Sequence, residues 1–230
     1  MSKMRLGMIL LVAAACVGGA QAKDKWRLGP QAYSFNRFTF AEAVAKAKLL
    51  NLKYIEAYPG QKLSAETGDA RMDHNMTAAQ KQVAKKILAD AGITLVNYGV
   101  VGLPNNEAEC RKVFDFAKEM GIETIVSEPP EDAMDLIDRL CQEYKIGVAL
   151  HNHPKPSHYW DYATVLRVCE GRSPWIGACA DTGHWTRSNI DPVVAIKELG
   201  KTGRIRSLHF KDLNEWGGRA HDVPWGTGVS

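Results

Sequence analysis

The chain has 230 residues, 45% hydrophobic and 24% charged, with a formal net charge of +3. That is the composition of an ordinary soluble globular protein, long enough for one large domain or two small ones. The balance of charge gives no electrostatic basis for nucleic-acid binding, where a clustered basic face is expected.

Lys3 and Arg5 precede an apolar run from Leu6 to Gly19, and Ala20-Gln21-Ala22 follows. A basic start, a short apolar stretch and small residues at the cleavage-reading positions form the pattern of a secretory signal peptide. The run is shorter than the about 20 residues that cross a bilayer. Residues 1–22 are therefore expected to be removed, leaving a secreted or periplasmic protein without a membrane anchor. Those residues hold two basic groups and no acid, so the rest carries 27 basic and 26 acidic residues, a net +1. Cys110, Cys141, Cys169 and Cys179 show no CxxC spacing. They read as small buried apolar residues, although export permits a disulfide.

From residue 27 onward one unit recurs: a short β-rich run, then an amphipathic stretch. Strands are expected at Leu28–Ser34, Tyr54–Ala57, Thr94–Tyr98, Thr124–Ser127, Gly147–His151, Ile176–Ala180 and Ile205–Phe210. Helices are expected at about 39–50, 77–91, 106–120, 131–144, 158–170 and 191–200. Thr39 with Glu42 makes a capping box, and Asp191-Pro192 places proline at the first helical position. Gly92 and Gly121 end their helices as C-caps do.

Alternation of β and α elements implies a parallel sheet with right-handed crossovers. The first strand ends in Tyr33-Ser34-Phe35-Asn36 rather than in a glycine-rich nucleotide loop, which argues against a doubly wound sheet. The expected fold is α/β, a (β/α)₈ TIM barrel over residues 27–230. By this count the sequence lacks the last βα unit.

Barrel enzymes work at the C-terminal ends of their strands. Glu56 stands at the end of the second strand, as a salt-bridge partner within the mouth or a substrate contact. Glu128 follows the fourth strand, His151 and His153 the fifth, Asp181 the sixth and His209 the seventh. A lone Glu or His at such a place is commonly a hydrogen-bonded surface group. Glu128, His153, Asp181 and His209, however, are spaced by about one βα unit each, which brings all four to one mouth. Two carboxylates and two imidazoles suit Mn²⁺, Zn²⁺, Co²⁺ or Mg²⁺. His151 and His153 share strand parity, so both can face inward, and the choice between them as ligand stays open. Tyr33 and Trp185 fall at or just past strand ends, where aromatic faces can meet a sugar ring.

Glu128-Pro, Leu150-His-Asn-His, Asp181-Thr-Gly-His and Leu208-His-Phe-Lys-Asp together resemble the xylose-isomerase-like barrel superfamily of sugar phosphate isomerases and epimerases. The resemblance implies a divalent metal on Asp181 and His209, with Glu128 and His153 next. It implies an isomerase or epimerase that takes a proton beside a metal-polarised carbonyl. Glu128 or His151 is then the candidate base, His184 the acid, and Lys211 the group that supports the developing charge. The family often adds a Glu from its last strand, which has no counterpart here.

Export and the scarcity of basic residues in Asn214–Ser230, where only Arg219 occurs, argue for a free sugar over a phosphorylated one. A lyase or hydrolase of keto-glycosides on the same metal site is the alternative, and a non-catalytic sugar-binding barrel is the reading of another class. The superfamily also holds DNA-repair endonucleases, but the net +1 and the export signal oppose that reading. The sequence is compatible with an oligomer.

Overall fold

The computed structural model describes residues 26–230. The expected signal segment, residues 1–22, lies outside them. Among the described residues no helix is long and apolar enough to cross a membrane.

In chain order the elements are α1 Phe40–Leu49, β1 Tyr54–Ala57, the hairpin β2 Gln61–Lys62 and β3 Arg71–Met72, α2 Ala78–Ala91, β4 Thr94–Tyr98, α3 Glu107–Met120 and β5 Thr124–Ser127. There follow α4 Met134–Tyr144, β6 Gly147–His151, α5 Tyr162–Cys169, β7 Ile176–Asp181, α6 Thr182–Arg187, α7 Pro192–Lys201, β8 Ile205–His209, and the hairpin β9 Asp212–Leu213 and β10 Asp222–Val223. Six strands form one parallel sheet in the order β1-β4-β5-β6-β7-β8. It is the curled wall of a TIM barrel, with helices packed outside.

The local signals read at Thr39, Asp191, Gly92 and Gly121 act as expected. Thr39 and Glu42 close a capping box at α1, and the structure adds another at α2, between Thr77 and Gln80. Gly92 and Gly121 take φ of 67° and 73°, a left-handed conformation that costs glycine little. Asp191 caps α7 through the amides of Val193 and Val194, with Pro192 in the first turn.

Every residue of β5, β6 and β7 is buried, as expected when both faces of a parallel sheet are covered. Ile125, Val148, Leu150 and Ile176 pack outward with Phe114, Ile137 and Leu140 in the main core. Val126, Ala149 and Cys179 form a separate small cluster. β8 is only half-buried along its length, being the end strand of the sheet. All four described cysteines are buried and free.

One expected strand is corrected. Leu28–Ser34 is not a strand: Leu28 is exposed, Gln31 makes a single bridge to Glu56, and Ala32–Phe35 is a 3₁₀ turn. Pro30 has no N–H to extend a ladder. The Gln31 side chain accepts from the Tyr33 amide and donates to the Gly99 carbonyl at 3.0 Å, so it turns the chain inward at once.

Candidate functional site

The C-terminal ends of β1, β5, β6, β7 and β8 bring their polar residues to one mouth. Asp181 ends β7 and caps α6, its Oδ1 accepting from the His184 amide at 2.9 Å. The cap explains why Asp-Thr-Gly-His forms a helical turn, which the strand-and-helix periodicity did not reveal. Asn152 fixes the Asp181 backbone from the neighbouring strand, donating to its carbonyl at 3.0 Å and accepting from its amide at 2.8 Å.

The Asp181 carboxylate is fully buried. Burying a charge is costly unless it is paired, and Lys211 donates to Oδ2 at 2.6 Å. Around the same oxygen stand His151 Nε2 at 3.6 Å, His209 Nδ1 at 3.7 Å and His184 Nε2 at 3.7 Å. These separations are too long for hydrogen bonds. Burial resists ionisation of Asp181, yet the surrounding imidazoles and Lys211 hold its carboxyl well below the usual range.

The outer nitrogens of two of these rings are pinned. His151 Nδ1 lies 2.9 Å from Glu128 Oε1, and His209 Nε2 lies 3.0 Å from Glu56 Oε1. Glu56 is steadied in turn by Asn97 Nδ2 at 3.1 Å. A carboxylate only accepts, so each pinned nitrogen carries a proton and the other nitrogen turns toward Asp181. Burial lowers the His151 pKa, but pairing with Asp181 and Glu128 outweighs it and raises the imidazole to about 9. His209 is likewise raised well above the ordinary value, burial being outweighed by Cys179, Glu56 and Asp181.

Glu128 Oε1 also receives His153, through Nδ1 and through its backbone amide at 3.3 Å, and Oε2 receives the Ser157 hydroxyl at 2.7 Å. Burial opposes ionisation of this carboxyl, and those hydrogen bonds with His151, His153 and Ser157 hold it well below the usual range. Burial pushes His184 down to about 3, with Asp181 opposing and Lys211 adding to the fall.

Two sets of donor atoms lie within 4.8 Å of one another: Glu128, His151 and His153, and His151, Asp181 and His209. His151 belongs to both. The second set fits a divalent cation, because a fully buried carboxylate faces two imidazole nitrogens whose outer partners are acceptors. Strand parity suggested that both His151 and His153 could face inward. The side chain of His151 is 3% exposed and that of His153 48%, since His153 lies past the end of β6 and leans over the rim.

A cavity of about 860 Å³ opens above this floor, lined by Tyr33, Tyr58, His151, His153, His184, His209 and Lys211 among others. Tyr33 and Tyr58 meet edge to face at 5.1 Å. Trp185 is corrected: it is 1% exposed and belongs to the core, because α6 turns it away from the mouth. Arg187, Asn97, Asn152 and Ser157 were missed. Arg187 carried a signal, since i,i+3 spacing on a helix places it beside His184.

A curled parallel sheet with carboxylates and imidazoles at its strand ends is the layout of a (β/α)-barrel protein with a site at its mouth. The chain belongs to the xylose isomerase-like TIM barrel family, whose model matches residues 44–230. A solved structure from Parabacteroides distasonis, described as a putative uncharacterized protein, is 30% identical with a TM-score of 0.71, covering 89% of this chain and 81% of that one. A xylose isomerase-like TIM barrel protein from Mycobacterium smegmatis, in complex with magnesium, is 11% identical with a TM-score of 0.63, covering 89% and 82%. The 3-keto-D-glucoside 4-epimerase of E. coli is 11% identical with a TM-score of 0.58, covering 81% and 78%. The last two likenesses concern the fold alone. No curated protein matches the chain.

Proposed function

We propose that the protein is a divalent-metal-dependent enzyme that moves a proton at the carbon beside a sugar carbonyl, an isomerase or epimerase. The observation that carries this reading is the pair of rings on the floor. His151 and His209 each give one nitrogen to a carboxylate, Glu128 or Glu56, and turn the other toward the buried Asp181. An outer carboxylate that fixes ring and tautomer is the usual support of a metal-bound histidine. His151, Asp181 and His209 are the proposed inner ligands, and Glu128 holds His151 from behind.

A bound cation supplies Lewis acidity to the carbonyl oxygen and so acidifies the adjacent C–H. His153 is the proposed base. It leans over the cavity, and its Nδ1 is held by Glu128, which leaves Nε2 toward the substrate, as in other carboxylate-oriented histidine bases. Lys211 stands beside Asp181 and supports negative charge that develops on the substrate oxygen. Tyr33 and Tyr58 offer ring faces and edges to the sugar. The pattern of residues 1–22 supports action in a secreted or periplasmic setting. The cationic groups lining the mouth, Lys211 and Arg187, are both paired with aspartates, which favours an unphosphorylated sugar.

A second reading, a lyase of keto-glycosides, is favoured by the cavity volume, which exceeds the need of one sugar ring, and by the fold shared with the keto-glucoside epimerase. Both readings are tested by incubating ketoses and 3-keto-glycosides with the protein and Mn²⁺ in deuterated water. Metal-dependent deuterium uptake next to the carbonyl supports proton transfer, and release of an aglycone selects the lyase. Sugar binding without any exchange contradicts both and leaves a binding protein.

A further inference from the structure

Three imidazole nitrogens stand at nearly equal distance from Asp181 Oδ2, yet only two have a carboxylate behind the ring. His184 differs. Its Nδ1 faces not an acceptor but the Arg187 guanidinium, with NH1 at 3.2 Å. A guanidinium has five N–H donors, no acceptor, and keeps its charge at any pH a protein tolerates. Nδ1 must therefore accept, and in the neutral ring the proton resides on Nε2.

The arrangement is held from three sides. Arg187 also donates through Nε to the Ala220 carbonyl at 3.0 Å and through NH2 to Asp222 at 2.9 Å. Both acceptors belong to the β9–β10 region, so the guanidinium is clamped between that hairpin and α6. Lys211 Nζ lies 3.5 Å from His184 Nε2, a second donor facing the same ring, and a neutral imidazole can accept from only one of them. The Arg187 contact prevails. It is shorter and its direction is fixed by a planar fork, whereas the ammonium rotates freely about its bond and is already engaged with Asp181 at 2.6 Å.

We infer that Arg187 is a positioning residue that locks His184 in the Nε2–H tautomer, so that His184 faces the mouth as a hydrogen-bond donor and is kept out of the metal's ligand set. The sign of the outer partner sorts the three rings: a carboxylate behind His151 and His209 keeps a proton on the outer nitrogen and leaves the inner one to a cation once the ring is neutral, and a guanidinium behind His184 leaves an N–H. This rests on the proposed metal site for its consequence, though not for the tautomer itself. His184 then donates to a substrate oxygen that gains charge, a role for which a neutral imidazole suffices.

The test is nitrogen NMR of the whole protein with ¹⁵N-labelled histidine, the His184 signals being assigned by their loss in His184→Gln. In the wild type Nδ1 is expected to show the shift of a lone-pair nitrogen and Nε2 that of an N–H. A proton on Nδ1 overturns the inference, with no variant needed. In Arg187→Met the two His184 nitrogens are expected to move toward each other as the tautomers mix, and an unchanged spectrum overturns it. Adding Zn²⁺ separates the two readings. Shifts at His151 and His209 without loss of the His184 Nε2–H support both. No shift at any of the three contradicts the metal site and leaves the tautomer standing. Loss of the His184 Nε2–H on adding Zn²⁺ overturns the exclusion of His184.

Discussion

His151 Nδ1 lies 2.9 Å from Glu128 Oε1, and the same ring turns Nε2 to within 3.6 Å of Asp181 Oδ2. One imidazole thus couples the carboxylate that follows β5 to the one that ends β7. Removing the outer carboxylate frees the ring to rotate and to change tautomer. Glu128→Ala is expected to keep the fold and to weaken Mn²⁺ binding about 10–100-fold, the usual effect of losing such a support. Equilibrium dialysis checks this, and unchanged affinity would place Glu128 outside the metal's influence.

The raised pKa of His151 makes a pH-dependent competition between proton and metal. Its folded value of about 9 lies above the ordinary histidine value. Its contribution to metal-free stability is therefore full below about pH 6.5 and is lost as pH rises through about 9. Metal binding needs the neutral ring and runs the opposite way, so Mn²⁺ affinity should rise at least about tenfold per pH unit between roughly 7 and 9 with proton release, His209 adding a second proton. Calorimetry in buffers of different ionisation enthalpy measures the proton. Affinity that is flat over this range contradicts His151 as a ligand.

Lys211 Nζ sits 2.6 Å from Asp181 Oδ2 and competes with any cation for that oxygen. Lys211→Met is expected to bind Mn²⁺ at least as tightly as the wild type. On a substrate found by the deuterium screen, turnover should fall about 100-fold, in line with the loss of one donor that stabilises an oxyanion. Loss of metal along with turnover would instead make Lys211 a structural part of the site.

The alternation of strands and helices, the caps at Thr39 and Asp191, and the convergence of Glu128, His153, Asp181 and His209 on one mouth were legible in the sequence, because each follows from period, local hydrogen bonding or strand-end spacing. Other features were not. Which of His151 and His153 faces inward depends on where β6 ends, and parity alone does not fix an end. Leu28–Ser34 has the composition of a strand, but Pro30 and the Gln31 side chain divert it after one bridge. Pairs such as Glu56 with His209 join residues 153 apart, a distance over which no periodicity speaks.

Trp185 shows the same limit. Its place after Asp-Thr-Gly-His suggested a sugar contact, but α6 carries it into the core at 1% exposure. Trp185→Ala is expected to cost about 3–5 kcal/mol of stability, the usual range for emptying a large aromatic site. Trp185→Phe should cost less, with substrate affinity unchanged. Urea denaturation reads both. Near-wild-type stability of Trp185→Ala would contradict the core placement.

The central claim is that His151, Asp181 and His209 form one cation site, and calorimetric titration with Mn²⁺ tests it most directly. The wild type is expected to bind, while Asp181→Asn and His209→Ala, each shown by circular dichroism to be folded, are expected to lose that binding. Binding that survives in both variants, or a wild type that binds no divalent cation, would contradict it.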